Sequence, residues 1–218
     1  SLIRSRARGY NRVLSPGLRN IVMLRIHATL QSINAYKVRL LLSLLDVPFE
    51  RVDVDMYGGE HKREPFLTLN PFGQMPALED GDFHIGDSHA CLVYIARCYD
   101  PANRWLPVDA QGEARVAEWL SKSANEIHQG PWMKRAKIRR PEAITVPDEE
   151  IDARCDSILS VMDAQLRTRE WLAGEHATIA DVSCFGPISM LDVSGYDTKR
   201  FVGINDWMTR TAGDADGA

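Results

Sequence analysis

The chain has 218 residues, 44% of them hydrophobic and 26% charged, with a formal net charge of −4. That balance is ordinary for a globular protein, and the length allows one large domain or two small ones. The hydrophobic runs are all shorter than the roughly 18–20 apolar residues of a membrane helix, which argues against a spanning segment.

Charge is unevenly placed. Residues 1–20 carry five arginines and no acid, and removing those five positive charges from the net −4 leaves about −9 for the remainder. A mildly acidic body argues against nucleic acid as the main partner. The arginine-rich start allows an organelle transit peptide, but it lacks a clean amphipathic period, so residues 1–22 are read as an untidy N-terminal extension. The four cysteines, Cys91, Cys98, Cys155 and Cys184, form no CxxC pair and show no metal-ligand spacing. Free and mostly buried thiols are expected, and no metal.

In chain order, Ile21 to Ala28 reads as a buried strand, followed by a polar loop from Thr29 to Asn34. Ala35 to Leu45 has apolar residues at helical spacing, with Lys37 and Arg39 expected on the wet face, and Asp46-Val47-Pro48 stops it. Phe49 to Val54 alternates as a strand with one covered face, so the first two strands are expected to be parallel. Glu60 to Leu69 is weakly helical, and Asn70-Pro71-Phe72-Gly73 is a turn cluster. Met75 to Glu79, the hairpin signal Asp80-Gly81-Asp82, the return strand Phe83 to Ile85 and a helix from Ser88 to Tyr99 complete a βαβ then ββα order.

Asp100 to Asp109 is rich in proline and polar residues and reads as a linker; after it every periodic segment is helical. Ala110 to Ile127 is one long amphipathic run, and Pro147 to Thr168 is another, opening on Asp148, Glu149 and Glu150 at the positive end of its dipole. Thr178-Ile179-Ala180-Asp181 fits a capping box, and the tail Gly213 to Ala218 reads as frayed. The domain division is therefore residues 23–100, a linker over 101–109, and 110–218.

The βαβ-ββα order with a proline opening its third strand resembles the thioredoxin-like fold. Three stretches resemble the cytosolic glutathione transferase family, especially the bacterial serine-type members related to the theta, phi and beta classes: Ser32-Ile-Asn-Ala-Tyr-Lys-Val-Arg-Leu, Asn70-Pro-Phe-Gly-Gln-Met-Pro-Ala-Leu-Glu-Asp-Gly-Asp continuing to Asp87-Ser-His-Ala, and Trp171-Leu-Ala-Gly-Glu-His-Ala-Thr-Ile-Ala-Asp-Val. The likeness runs from about Met23 to Met208. It implies a thioredoxin-like α/β domain followed by an all-α helical bundle, with glutathione as co-substrate, a small hydrophobic electrophile as second substrate, a homodimer and a cytoplasmic location.

The resemblance also implies roles. Ser32, entering the first helix, would donate its hydroxyl to the glutathione thiolate and favour the charged sulfur. Asn34 is a second donor, whereas Tyr36 is more a packing residue. Met75 before a cis Pro76 would pair its backbone with the cysteinyl unit. Gln74 and Lys62, with His61 beside it, would reach the glycyl end. Asp87 and Ser88 would hold the γ-glutamyl ammonium and carboxylate, and helix capping and the ligand role are compatible there. His128, in Glu126-Ile-His128-Gln, resembles a substrate-facing histidine of the beta class, while Trp119 reads as core. Phe66 and Phe72 are either dimer wedges or core. Conjugation leads the reading; glutathione-dependent disulfide or peroxide reduction, or a non-catalytic glutathione- or ligand-binding protein, are the alternatives.

Overall fold

The computed structural model describes residues 23–216. The extension expected over residues 1–22 lies outside the described residues. Strand β1 (Leu24–His27) runs parallel to β2 (Phe49–Val52), with Leu24 opposite Phe49. A parallel pair needs a crossover, supplied by helix α1 (Ile33–Leu44). β3 (Ala77–Asp80) pairs antiparallel with β1, setting Leu78 opposite Ile26, and β4 (Phe83–Ile85) pairs antiparallel with β3. The sheet order is β2-β1-β3-β4, and α3 (Ser88–Tyr99) follows. The weakly helical stretch expected over Glu60 to Leu69 is two pieces, a 3-10 turn Glu60–Lys62 and the short α2 (Phe66–Leu69). Pro65 between them lacks the N–H that a continuous helix would need.

The second half contains α4 (Ala110–Ala124), α5 (Met133–Arg139), α6 (Asp148–Leu166), α7 (Ile179–Ser189) and α8 (Val202–Asp216). α8 carries the helix through Gly213, where a frayed end was expected. The long run expected to Ile127 ends at Ala124 and gives way to a wide, π-helical turn, His128–Trp132. Pro131 sits inside this turn and cannot donate a backbone hydrogen bond there, and the wide turn runs directly into α5, with Ile127, Trp132 and Met133 all in right-handed helical geometry.

The two halves share one continuous hydrophobic core. Residues Ile179 to Ile188 of α7 are all buried, the pattern of a helix that is apolar on every side and therefore central. α7 packs against α1 on one side and α4 on another. At Gly186 an added Cβ would lie 3.2 Å from Ile33 Cγ2 and 3.3 Å from Tyr36 Cδ1, so glycine allows α7 to approach the first turn of α1 closely. The connecting segment is also pinned: Trp105 and Leu106 are buried, Asp100 accepts from the Trp105 N–H at 2.7 Å, and Ile179 N–H donates to Trp105 O at 2.9 Å.

The start of α7 is held by a buried capping box. Thr178 Oγ1 accepts from Ala180 N–H at 3.2 Å. Asp181 accepts from Thr178 N–H at 2.9 Å and Thr178 Oγ1 at 3.1 Å, from Leu172 N–H at 3.0 Å, and from the Trp207 indole at 2.9 Å. One carboxylate thus ties α7 to the preceding loop and to α8. Asp181→Ala strands those donors in a dry core, where each costs about 1–3 kcal/mol. The variant is expected to lose about 3 kcal/mol or more in urea denaturation at pH 7; a loss below about 1 kcal/mol would show that water or rearrangement satisfies the donors.

Candidate active site

A cavity of about 440 Å³ opens where the N-terminus of α1 meets the π-turn and α5. Ser32, Asn34, Lys62, Gln74 and Met75 stand on the wall built by the sheet half, and His128 on the wall built by the helical half. Six of the nine residues singled out from the sequence therefore meet in one cavity. Pro76, Asp87 and Ser88 do not line it: Pro76 is buried behind Met75, while Asp87 is exposed and Ser88 buried at the start of α3.

Ser32 is the N-cap of α1, and its Oγ accepts from Ala35 N–H at 3.2 Å. A serine hydroxyl has two lone pairs and one proton, so this cap leaves the proton free to donate. The first turn of α1 holds no acid, so the positive potential of the helix end is not cancelled locally. Met75–Pro76 is a cis peptide. Asn70 organises the loop leading to it: its side-chain amide donates to Gln74 O at 2.6 Å and Gly86 O at 3.0 Å, and its Oδ1 accepts from Phe72 N–H at 3.1 Å. This buried asparagine ties the Gln74–Met75 loop to the lead-in of α3. There Asp87 Oδ1 accepts from His89 N–H and Ala90 N–H, both at 2.9 Å. Lys62 Nζ donates to Phe72 O at 3.4 Å. Gly73, at φ +57°, adopts a backbone that suits glycine, and a Cβ there would lie 2.8 Å from His61 O.

Trp132 belongs, with His128, to the cluster that the sequence places at the end of the long helix, whereas the arginines of this wall were not read from it. Trp132 stacks on His128, ring centroids 4.1 Å apart and 15° from parallel, and Arg140 lies over the Trp132 ring at 5.9 Å. Arg135, Arg139 and Arg140 complete the wall, which contains no acidic residue. The spacing of Arg135 and Arg139, one helical turn apart, was the available signal, but it becomes meaningful only once the facing cavity is known.

Lys37 corrects the expectation that it lies on a wet face. It is 2% exposed, because α1 is covered by α3 on one side and α7 on another and has little open surface there. Arg39 is also part-buried and donates to Leu30 O at 3.1 Å. Lys37 Nζ donates to His89 Nε2 and to Ser123 Oγ, both at 3.3 Å, and Ser183 Oγ donates to Ser123 Oγ at 2.7 Å. This network links α1, α3, α4 and α7 beneath the site. Burial lowers the Lys37 pKa to about 8. Burial, reinforced by the neighbouring Lys37 charge, lowers His89 to about 4. Burial first and the Lys37 charge second also lower the His128 pKa. None of Cys91, Cys98, Cys155 and Cys184 lines the cavity; Cys98 is exposed, the other three are buried, and all four are free thiols.

Comparison with known proteins agrees with this architecture. The N-terminal domain family of glutathione S-transferases matches residues 24–97, and the C-terminal domain family matches residues 131–210. A glutathione S-transferase of Hyoscyamus muticus is 32% identical over 165 residues, covering 73% of this chain and 78% of that protein. Glutathione S-transferase theta-2 of Mus musculus is 31% identical over 158 residues, 69% of this chain and 64% of that protein. Among solved structures, a possible glutathione S-transferase from Rhodopseudomonas palustris superposes with a TM-score of 0.78 at 29% identity, covering 86% of this chain and 93% of that one. A glutathione S-transferase from Pseudomonas fluorescens gives a TM-score of 0.77 at 30% identity, over 86% of this chain and 94% of that one. The chain belongs to the glutathione S-transferase family: it is a transferase with a thioredoxin-like half and a helical half, and glutathione is its co-substrate. No described helix is long and apolar enough to cross a membrane.

The lowered pKa of Lys37 has a consequence for stability. Below about pH 8 the folded chain carries a buried charge that the unfolded chain keeps in water. Between about pH 8 and the ordinary lysine value of 10.5, the unfolded chain holds the proton and the folded chain releases it, so stability rises with pH. The stability of wild type relative to Lys37→Met is therefore expected to increase between pH 7.5 and 9.5 in parallel denaturant titrations. An unchanged difference would mean that Lys37 is solvated.

Proposed function

We propose that the enzyme transfers the glutathione thiolate to an electrophilic carbon of a small molecule. The sulfur forms the new bond, the leaving group departs with its electron pair, and the thiol proton passes to solvent. The observation that carries this reading is the free hydroxyl proton of Ser32 at the uncancelled positive end of α1, on the wall of a cavity whose charged residues are cations. Hydroxyl donation and the helix end both favour a thiolate over a thiol. Asn34 is a second donor to the sulfur. Backbone groups of Met75 hold the cysteinyl unit, while Gln74 and Lys62 take the glycyl end. His61 adds to that end; its Nδ1 is buried without a hydrogen-bond partner among the described residues.

In this reading the γ-glutamyl arm passes beyond the cavity wall to the start of α3. Asp87 spends Oδ1 on capping, which leaves Oδ2 for the ammonium, and Ser88 lies beside it. Asn70, by bonding both Gln74 O and Gly86 O, sets the spacing between the two ends of the tripeptide site. His128 and Trp132 form an aromatic face for the second substrate. Conjugation ranks above disulfide or peroxide reduction because a serine stands at the reacting position and no cysteine lines the cavity to form a mixed disulfide. We place the enzyme in the cytoplasm as a homodimer. Phe72, 80% exposed next to Pro71, supports an apolar wedge into a partner; Phe66, at 3% exposure, is core.

Ser32→Ala removes one hydrogen bond to a charged sulfur, worth about 1.5–3 kcal/mol. Conjugation of 1-chloro-2,4-dinitrobenzene is expected to fall roughly 10–100-fold in kcat, glutathione binding to change less than about threefold, and the pKa of the bound thiol to rise by about one unit or more. Equal turnover and an unmoved thiol pKa in the variant would remove Ser32 from this role.

A further inference from the structure

The cations of the α5 segment divide into two sets. Lys134 and Lys137 face α6 and are paired: Lys134 Nζ lies 2.7 Å from Asp152 Oδ1 and 3.4 Å from Asp148 Oδ1, and Lys137 Nζ lies 3.4 Å from Asp148 Oδ2. Arg135, Arg139 and Arg140 face the cavity instead, and among the described residues none of them has a carboxylate within salt-bridge distance. Arg139 donates to the amide oxygen of Gln31, and Arg140 lies over the Trp132 ring. Arg135 is part-buried, and its pKa is lowered by burial and then by the like charge of Arg139. Gathering three guanidinium groups on one wall is electrostatically unfavourable while no anion is present.

Glutathione does not account for them. Its glycyl carboxylate is assigned to Lys62 and Gln74 and its γ-glutamyl end to Asp87 and Ser88, all on the sheet half, whereas the three arginines stand on the helical half with His128 and Trp132. A guanidinium presents a planar fork that fits a carboxylate or a similar oxyanion with two parallel hydrogen bonds. Beside it the half-buried His128–Trp132 stack on the cavity wall offers an aromatic surface to a planar group.

We propose that the electrophile is an aromatic acid: a planar ring bearing a carboxylate, whose ring packs against the His128–Trp132 pair and whose anionic group is received by Arg135, Arg139 and Arg140. This narrows, and rests on, the transferase reading above, replacing a purely hydrophobic second substrate by a charged one. In a reaction sequence, such an enzyme would consume a halogenated or otherwise activated aromatic acid and deliver its thioether.

The test uses the two glutathione thioethers that arise from 4-chloro-3-nitrobenzoate and 4-chloro-3-nitrobenzamide, prepared chemically, so that ring reactivity does not enter. They differ only in carboxylate against carboxamide. Calorimetric binding to the wild-type full chain is expected to favour the carboxylate roughly tenfold or more, with the preference shrinking between 50 and 300 mM salt. In the double variant Arg135→Gln/Arg139→Gln, and separately in Arg140→Gln, the preference should fall to about twofold or less, while the carboxamide thioether and free glutathione bind as they do to wild type. The inference is overturned if wild type binds the two thioethers equally or binds neither, if the preference survives both variants, or if the variants lose free glutathione, which would assign the arginines to glutathione itself. Turnover of neutral 1-chloro-2,4-dinitrobenzene is run alongside. Conjugation of it without any carboxylate preference sinks this inference and leaves the transferase reading standing; absence of turnover with every halide, despite a carboxylate preference in binding, sinks that reading alone.

Discussion

The seating of α1 is the constraint on which the rest of the structure depends. This helix lies between the sheet half and α7, and the close approach at Gly186 brings α7 against Ile33 and Tyr36, one turn from Ser32. Because α1 is gripped on both sides, its N-terminus is held where the cavity opens. In the role we propose for Ser32, its hydroxyl and the positive helix end act from a rigid element, and a preorganised donor stabilises developing or resident charge without reorganising. The same burial places Lys37 out of water, where it is satisfied only by neutral acceptors, His89 and Ser123.

The capping box of α7 extends that constraint through the helical half. Asp181 holds the loop at Leu172, the start of α7 and the indole of Trp207 in one buried set of hydrogen bonds. α7 in turn contacts α1, α4 and α8, so a single carboxylate orders the platform beneath the site. Across the cavity, α4 ends at Ala124 with Asn125 outside helical geometry, and the π-turn leads on into α5; His128 and Trp132 stack on that turn, and α5 presents its arginines. The site therefore combines one wall from the sheet half, which we propose holds the tripeptide thiol, with a second wall built on the wide turn and α5.

Much of the architecture was legible from pattern alone. The parallel β1–β2 pair, the hairpin of β3 and β4, the bounds of α3 and the capping box at Thr178 follow from apolar period and turn chemistry, which act over a few residues. The resemblance supplied what period could not, above all the identity of Ser32 and the cis Met75–Pro76 segment. Locally broken elements were less legible: Pro65 divides the stretch after Glu60, and the run that began at Ala110 stops at Ala124, short of the Ile127 its apolar spacing suggests, ahead of a wide turn that holds Pro131.

By itself, the sequence determined the order of elements and the thioredoxin-like half followed by helices, because short-range patterns and matched motifs carry that information. Only the tertiary structure decided that Lys37 is buried rather than wet, that Asn70 ties the Gln74–Met75 loop to the lead-in of α3, that Phe66 is core while Phe72 is exposed, and that Arg135, Arg139 and Arg140 turn to the cavity while Lys134 and Lys137 turn to α6. The physical reason is the same in each case. A helix period shows which residues share a face, but whether that face meets water, carboxylates or a cavity depends on what long-range packing brings against it.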